Sequence, residues 1–134
     1  MSAAEQFFDT NILLYLLSED DTKANHAENA LSTGGVLSVQ VLNEFAAVAS
    51  RKLKLSIGEI REMLLAIRSI CKVVPIGEET HDLGLRLVEK HGLAVYDAMI
   101  VAAALLAGCK ILVSEALQHG QIFERTLKIQ NPFR

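Results

Sequence analysis

Between residues 41 and 53 apolar side chains fall at 41, 42, 45, 48 and 49, the i, i+1, i+4, i+7, i+8 stripe of an amphipathic helix. Residues 56–71 repeat the period, opened by Ser56 and Glu59 as a capping box. Runs of a different kind lie around these helices. Phe7-Phe8 and residues 36–39, 73–76 and 110–114 are brief, apolar or β-branched and without helical period, which predicts short buried strands. Pro75 demotes the third of them toward a sheet edge. Residues 20–31, closed by Gly34-Gly35, and 78–91, stopped at Gly92, are further helices. Residues 97–107 are apolar all round and predict a buried helix, and the tail from 121 to 133 reads as extended.

Strands separated by helices of ten or more residues imply a parallel sheet with right-handed crossovers. The expectation is therefore one α/β domain, residues 1–134, with a central parallel sheet of four to five strands and helices on both faces. The tandem helices between the second and third strands form a helical arm, offering a lid or an interface. Its apolar residues, Leu53, Ile57, Ile60, Ile67 and Ile70 among them, exceed what one face buries, which predicts a dimer or partner surface.

Composition narrows the class. At 134 residues and 51% hydrophobic content the chain builds a core without disulfides or structural metal, and disorder is excluded. Thirteen Lys plus Arg against sixteen Asp plus Glu leave a net charge of −3, which argues against coating nucleic acid by bulk charge and leaves room only for a local basic groove. Arg51, Lys52 and Lys54, closing the helix of residues 41–53, are the candidate phosphate contacts. Cys71 and Cys109 have no metal-ligand spacing and read as buried thiols in a reducing cytosol. The apolar stretch of residues 98–107 is well short of the roughly 20 residues of a membrane helix. The opening Met1-Ser2-Ala3-Ala4 lacks the basic start of a secretory signal, so a cytoplasmic protein without membrane association is expected.

Acids recur where open parallel sheets collect ligands, outside the carboxyl ends of strands. Asp9 follows the first strand, Glu44 borders the apolar stripe of the helix after the second, and Asp97 begins the apolar helix before the last buried strand. An Asp between strand and helix is also the ordinary N-cap, and spacing alone supports both readings. Carboxylates forced together repel unless a cation offsets them, and an all-oxygen set suits Mg²⁺ or Mn²⁺ rather than zinc. Such ions activate water and neutralise charge developing on phosphate oxygens.

Asp9-Thr10-Asn11 after Phe8, Val41-Leu42-Asn43-Glu44-Phe45, Tyr96-Asp97-Ala98 and Leu112-Val113-Ser114-Glu115 resemble, in order and across essentially the whole chain, the PIN-domain ribonucleases. The likeness is specifically to VapC-type toxins of bacterial toxin-antitoxin pairs. The resemblance implies a PIN fold, catalytic and metal-holding roles for Asp9, Glu44 and Asp97, and supporting roles for Asn11 and Ser114. It also implies Mg²⁺ or Mn²⁺ as cofactor, RNA as substrate, a homodimer, and a cognate antitoxin as partner.

One position departs from the pattern. The family normally carries a fourth acid two residues after the Ser or Thr ending the last buried strand, and that position here is Ala116. The neighbouring Glu115 is turned by about 100° or more from it and is no replacement. The expected activity is that of a metal-dependent endoribonuclease toxin impaired at Ala116; the alternative is a catalytically lapsed PIN domain that binds antitoxin or RNA. A receiver-like or aspartyl phosphatase domain fits less well, because Asn11 stands where the phosphatase motif needs a second Asp.

Overall fold

The computed structural model describes residues 5–134; residues 1–4, on which the reading of the N-terminus rested, lie outside the described residues. Six strands form one sheet: β1 (Gln6–Phe8), β2 (Gly35–Ser38), β3 (Cys71–Val74), β4 (Ile111–Val113), β5 (Ile122–Phe123) and β6 (Leu127–Gln130), in the order β3-β2-β1-β4-β6-β5. Five run parallel, as the alternation of strands and helices predicts. The sixth, β5, pairs antiparallel with β6 and comes from the tail, which is extended as expected but doubles back on itself. β3 is an edge strand with Pro75 just beyond it, where the missing N–H leaves no ladder bond unmade.

Neighbouring side chains of a strand point to opposite faces, so full burial of both Phe7 and Phe8 means that β1 is covered on each side. The cover comes from α1 (Thr10–Leu14, continued by a 3-10 turn over Tyr15–Leu17), α2 (Asp21–Ser32), α3 (Val39–Arg51), α4 (Ile57–Ile70), α5 (Glu78–His91) and α6 (Val95–Leu106). Local chemistry sets their ends. Asp20 accepts from the backbone N–H of Thr22 at 3.0 Å, Ser56 and Glu59 make the reciprocal capping box, and Gly92 stops α5 at φ 69°.

Two helices start earlier than the sequence pattern suggests. The backbone passes directly from Ser38 of β2 into α3 at Val39, a β-branched residue that reads as strand. α6 opens at Val95 behind Ala94, which has no capping side chain, so Asp97 is the third helical residue rather than the first. There it still meets the positive end of the helix dipole.

Every residue of α6 from Ala98 to Ala104 is buried, and the helix packs on β2 and β4 with α5 against it. Its alanines allow that close approach. Gly84 of α5 does the same from the other side, since a Cβ there would lie 2.4 Å from Met99 Sδ. The helical arm is not a free projection: Val41, Phe45 and Ala49 of α3 belong to the core, as do Ile60 and Ile67 of α4. Leu53, Ile57 and Ile70 stay exposed. Cys71 and Cys109 are buried thiols pushed up to about 11 by that burial.

At Gly35 an added Cβ would meet Phe8 Cε2 at 2.5 Å and the Gln6 carbonyl oxygen at 2.9 Å. The second contact is with backbone of the central strand, which cannot swing aside. Gly35→Ala is therefore expected to destabilise the fold by about 1 to 3 kcal/mol through overpacking. Urea unfolding checks it by a lower midpoint at unchanged slope. A midpoint within error of the parent's would mean that β1 and β2 separate more easily than their pairing implies.

Candidate active site

The carboxyl ends of β1 and β4 lie side by side, and Asp9 and Ser114 are the first residues beyond them. Asp9 caps α1, its Oδ1 accepting from the Thr10 N–H at 2.7 Å. Its Oδ2 accepts from Ser114 Oγ at 2.7 Å and from Asn11 Nδ2 at 3.3 Å. Capping α1 thus leaves Asp9 at the carboxyl end of the sheet, where the site reading expects it, and the two roles are compatible. Ser114 is fully buried, and its Oγ also accepts from the N–H groups of Ala116 and Leu117. Asn11 Oδ1 accepts from the Glu115 N–H at 3.2 Å. Asn11 and Ser114 therefore hold Asp9 and the turn after β4 in one network.

Glu44 comes to the same place from α3. Thr10 Oγ1 donates to Glu44 Oε1 at 2.6 Å, a restraint that sequence reasoning passed over although Thr10 stands between two named site residues. Gln40, one turn before Glu44 and buried, donates from Nε2 to the Tyr96 carbonyl oxygen at 3.1 Å. That bond ties α3 to the start of α6, where Asp97 is. A polar residue four positions before Glu44, on the same face of the helix, was the available signal.

Asp9, Glu44, Asp97, Asn11, Tyr96 and Ala116 all line one cavity of about 250 Å³. A second cavity of about 350 Å³ shares Asn11, Leu14 and Val48 with it and reaches Lys52. Glu44 and Val48 of α3 and its C-cap residue Lys52, four residues apart, form one row along this cleft. Arg51 and Lys54 are exposed beside them but line neither cavity.

Burial lifts the Asp9 carboxyl above the usual carboxylate range; the Ser114 and Thr10 hydrogen bonds oppose the rise, and the charges of Asp97 and Glu44 add to it. Asp97 is raised by burial and then by Glu44. Asp9 thus senses both other acids, and Asp97 senses Glu44. In kind, this donor set fits a hard divalent ion: the ligands are all oxygen, and a cation would relieve both the repulsion and the desolvation. In arrangement it is loose. Among the described residues no group of three His, Cys, Asp or Glu is drawn together closely enough to hold a metal ion as it stands. The Thr10 and Ser114 bonds already engage Glu44 and Asp9, and Ala116 brings a methyl group to the cavity wall.

Glu115 does not take over from Ala116. Its Oε1 accepts from the Tyr15 hydroxyl, and its Oε2 lies 3.9 Å from Lys23 Nζ. Lys23 also lies over the Tyr15 ring, which meets Phe133 edge-on. Glu115 is thereby held in a cluster outside the carboxylate cavity.

The PIN domain family model matches residues 7–116. No curated protein matches the sequence significantly. Among solved structures, a toxin-antitoxin complex from Klebsiella pneumoniae aligns with TM-score 0.72 and 21% identity, over 95% of this chain and 97% of its own. The sarcin-ricin loop cleaving toxin VapC20 of Mycobacterium tuberculosis aligns with TM-score 0.66 and 17% identity, over 80% and 86%. FitAcB from Neisseria gonorrhoeae aligns with TM-score 0.68 and 17% identity, over 96% and 98%. With its parallel sheet, its acids at the strand ends and a family match over most of its length, this chain belongs to the PIN domain family.

Proposed function

We propose that this chain is a metal-dependent endoribonuclease of the toxin type, weakened by Ala116. The observation carrying the reading is the convergence of Asp9, Glu44 and Asp97, from three separate segments, on one cavity at the carboxyl end of the sheet. Asp9, Glu44 and Asp97 would hold Mg²⁺ or Mn²⁺, which when bound supplies activation of water and neutralisation of phosphate charge. The chain's own groups do the rest. Thr10 orients Glu44, Ser114 and Asn11 orient Asp9, and Gln40 fixes the distance between α3 and α6. Lys52, at the far end of the cleft, is placed to attract an RNA phosphate, with Arg51 and Lys54 beside it.

Toxin-antitoxin complexes among the similar structures support a cognate antitoxin as partner. Leu53, Ile57 and Ile70, exposed on the arm, supply apolar surface for it or for a second copy of the chain. An RNA substrate and a cognate antitoxin, as proposed, would both be met in the cytoplasm; no described helix is long and apolar enough to cross a membrane.

The second reading, a lapsed PIN domain that binds antitoxin or RNA without cutting, is favoured by Ala116 on the cavity wall and by the open arrangement of the acids. RNA cleavage by this chain, titrated with Mg²⁺ and Mn²⁺, separates the two. The nuclease reading expects weak, metal-dependent cleavage that falls to background in Asp97→Asn, a span limited by the weak starting rate. Cleavage that is absent at every metal concentration, with RNA or antitoxin binding retained, would establish the lapsed domain instead.

A further inference from the structure

We infer that Tyr96 is a stacking platform for an unpaired base of the RNA, next to the phosphate that the carboxylate cavity receives. The inference rests on the nuclease reading and adds the substrate form: single-stranded, with a base turned out onto a protein ring. Tyr96 lines the carboxylate cavity and is nonetheless 69% exposed, the most exposed of the large apolar and aromatic side chains among the described residues. The remaining tyrosine and Phe7, Phe8, Phe45, Phe123 and Phe133 are buried or partly buried. An exposed ring beside a polar site exacts a solvation penalty unless something covers it.

The backbone beneath the ring is rigid. Tyr96 is the second residue of α6, Ala98, Met99 and Ile100 further along that helix are buried, and its carbonyl accepts from the buried Gln40. A ring on a fixed backbone loses little conformational freedom when a base stacks on it. The two cavities adjoin: Tyr96 and the three acids line the first, Lys52 lines the second, and Asn11, Leu14 and Val48 line both. A base-binding ring in one cavity and a cation in the next is the pairing of stacking and backbone contact by which proteins hold single strands.

The test uses a fluorescent ten-nucleotide single-stranded RNA and the same RNA with abasic sites, in Mg²⁺ buffer, with affinity read by anisotropy. Tyr96→Leu is expected to weaken binding by about 5- to 100-fold, and Tyr96→Phe to bind within about threefold of the parent. The abasic RNA should bind the parent as weakly as the normal RNA binds Tyr96→Leu. The sequence has no tryptophan, so Tyr96→Trp provides a single indole whose emission should be quenched by the normal RNA but not by the abasic one. Equal affinity of Tyr96→Leu and the parent, with the parent still binding and cutting RNA, overturns the role of Tyr96 and leaves the nuclease reading intact. Failure of the parent to bind or cut RNA at all overturns both. A shift in sedimentation of the free Tyr96→Leu chain with unchanged RNA affinity would make the ring a protein contact and also overturns the inference.

Discussion

Ala116→Asp is expected to raise RNA cleavage at saturating Mn²⁺ by about 10² to 10³-fold, the equivalent of about 3 to 4 kcal/mol of transition-state stabilisation. Ala116 lines the cavity that Asp9, Glu44 and Asp97 share, so an aspartate there adds a fourth oxygen donor to an otherwise open set. The gain should come at the expense of the metal-free fold. A fourth negative charge beside two carboxyls already raised by burial and by neighbouring acids adds repulsion, so in EDTA the parent should melt no lower than Ala116→Asp. Saturating Mn²⁺ should reverse that order, because the tighter site gains more from mass action. Single-turnover cleavage and paired thermal melts check both halves. Equal rates across the whole metal titration would remove position 116 from any part in the chemistry.

Ser114→Ala is expected to lower stability at pH 7 by about 2 to 4 kcal/mol, although it deletes a single oxygen. That oxygen donates to the buried Asp9 carboxylate and accepts from two backbone N–H groups, and the bonds to Asp9 and to the Leu117 N–H are buried, so those two partners gain no water when it goes. The Ser114 bond also pulls the Asp9 carboxyl downward, so its loss leaves that group higher still. A carboxyl whose folded pKa exceeds its unfolded value of about 3.9 binds more protons in the native state, and stability then falls as pH rises through the folded pKa. The deficit of Ser114→Ala should therefore be larger at pH 7 than at pH 4. Urea unfolding in EDTA at both values decides it. An equal deficit at both would confine the loss to the backbone donors.

What the sequence disclosed follows from the range of the interactions involved. The α3 stripe, the Ser56–Glu59 box and the stop at Gly92 are settled within a turn of helix, and each stands where the pattern put it. The β5–β6 hairpin was hidden. Its turn places Glu124 and Arg125 at φ 50° and 66°, a backbone that Gly or Asn would have announced and these residues do not. The candidate acids stood out for local reasons: Asp9 follows a strand end, Asp97 lies in the first turn of a helix, and Glu44 borders the apolar stripe of α3. The Thr10–Glu44 and Gln40–Tyr96 bonds span 34 and 56 residues, and the Tyr15–Glu115 bond spans 100. No local pattern encodes such pairs: the place of Gln40 one turn before Glu44 could draw notice, but its partner, like that of Thr10, was legible only once the sheet had brought their segments together.

The Asp9–Ser114 bond joins residues 105 apart, and β1 is flanked by β4 only when residues 111–113 are present. During synthesis the residues of β1 are made first, yet one edge of that strand stays open until nearly the whole domain has left the ribosome. Contacts of such long sequence separation form late, because the loop between them must close first. A ribosome that stalls or terminates before residue 114 therefore releases a chain with an unfinished cavity and an exposed central strand. Such fragments carry an unpaired strand edge and exposed apolar surface, which makes them good substrates for proteases and quick to be cleared.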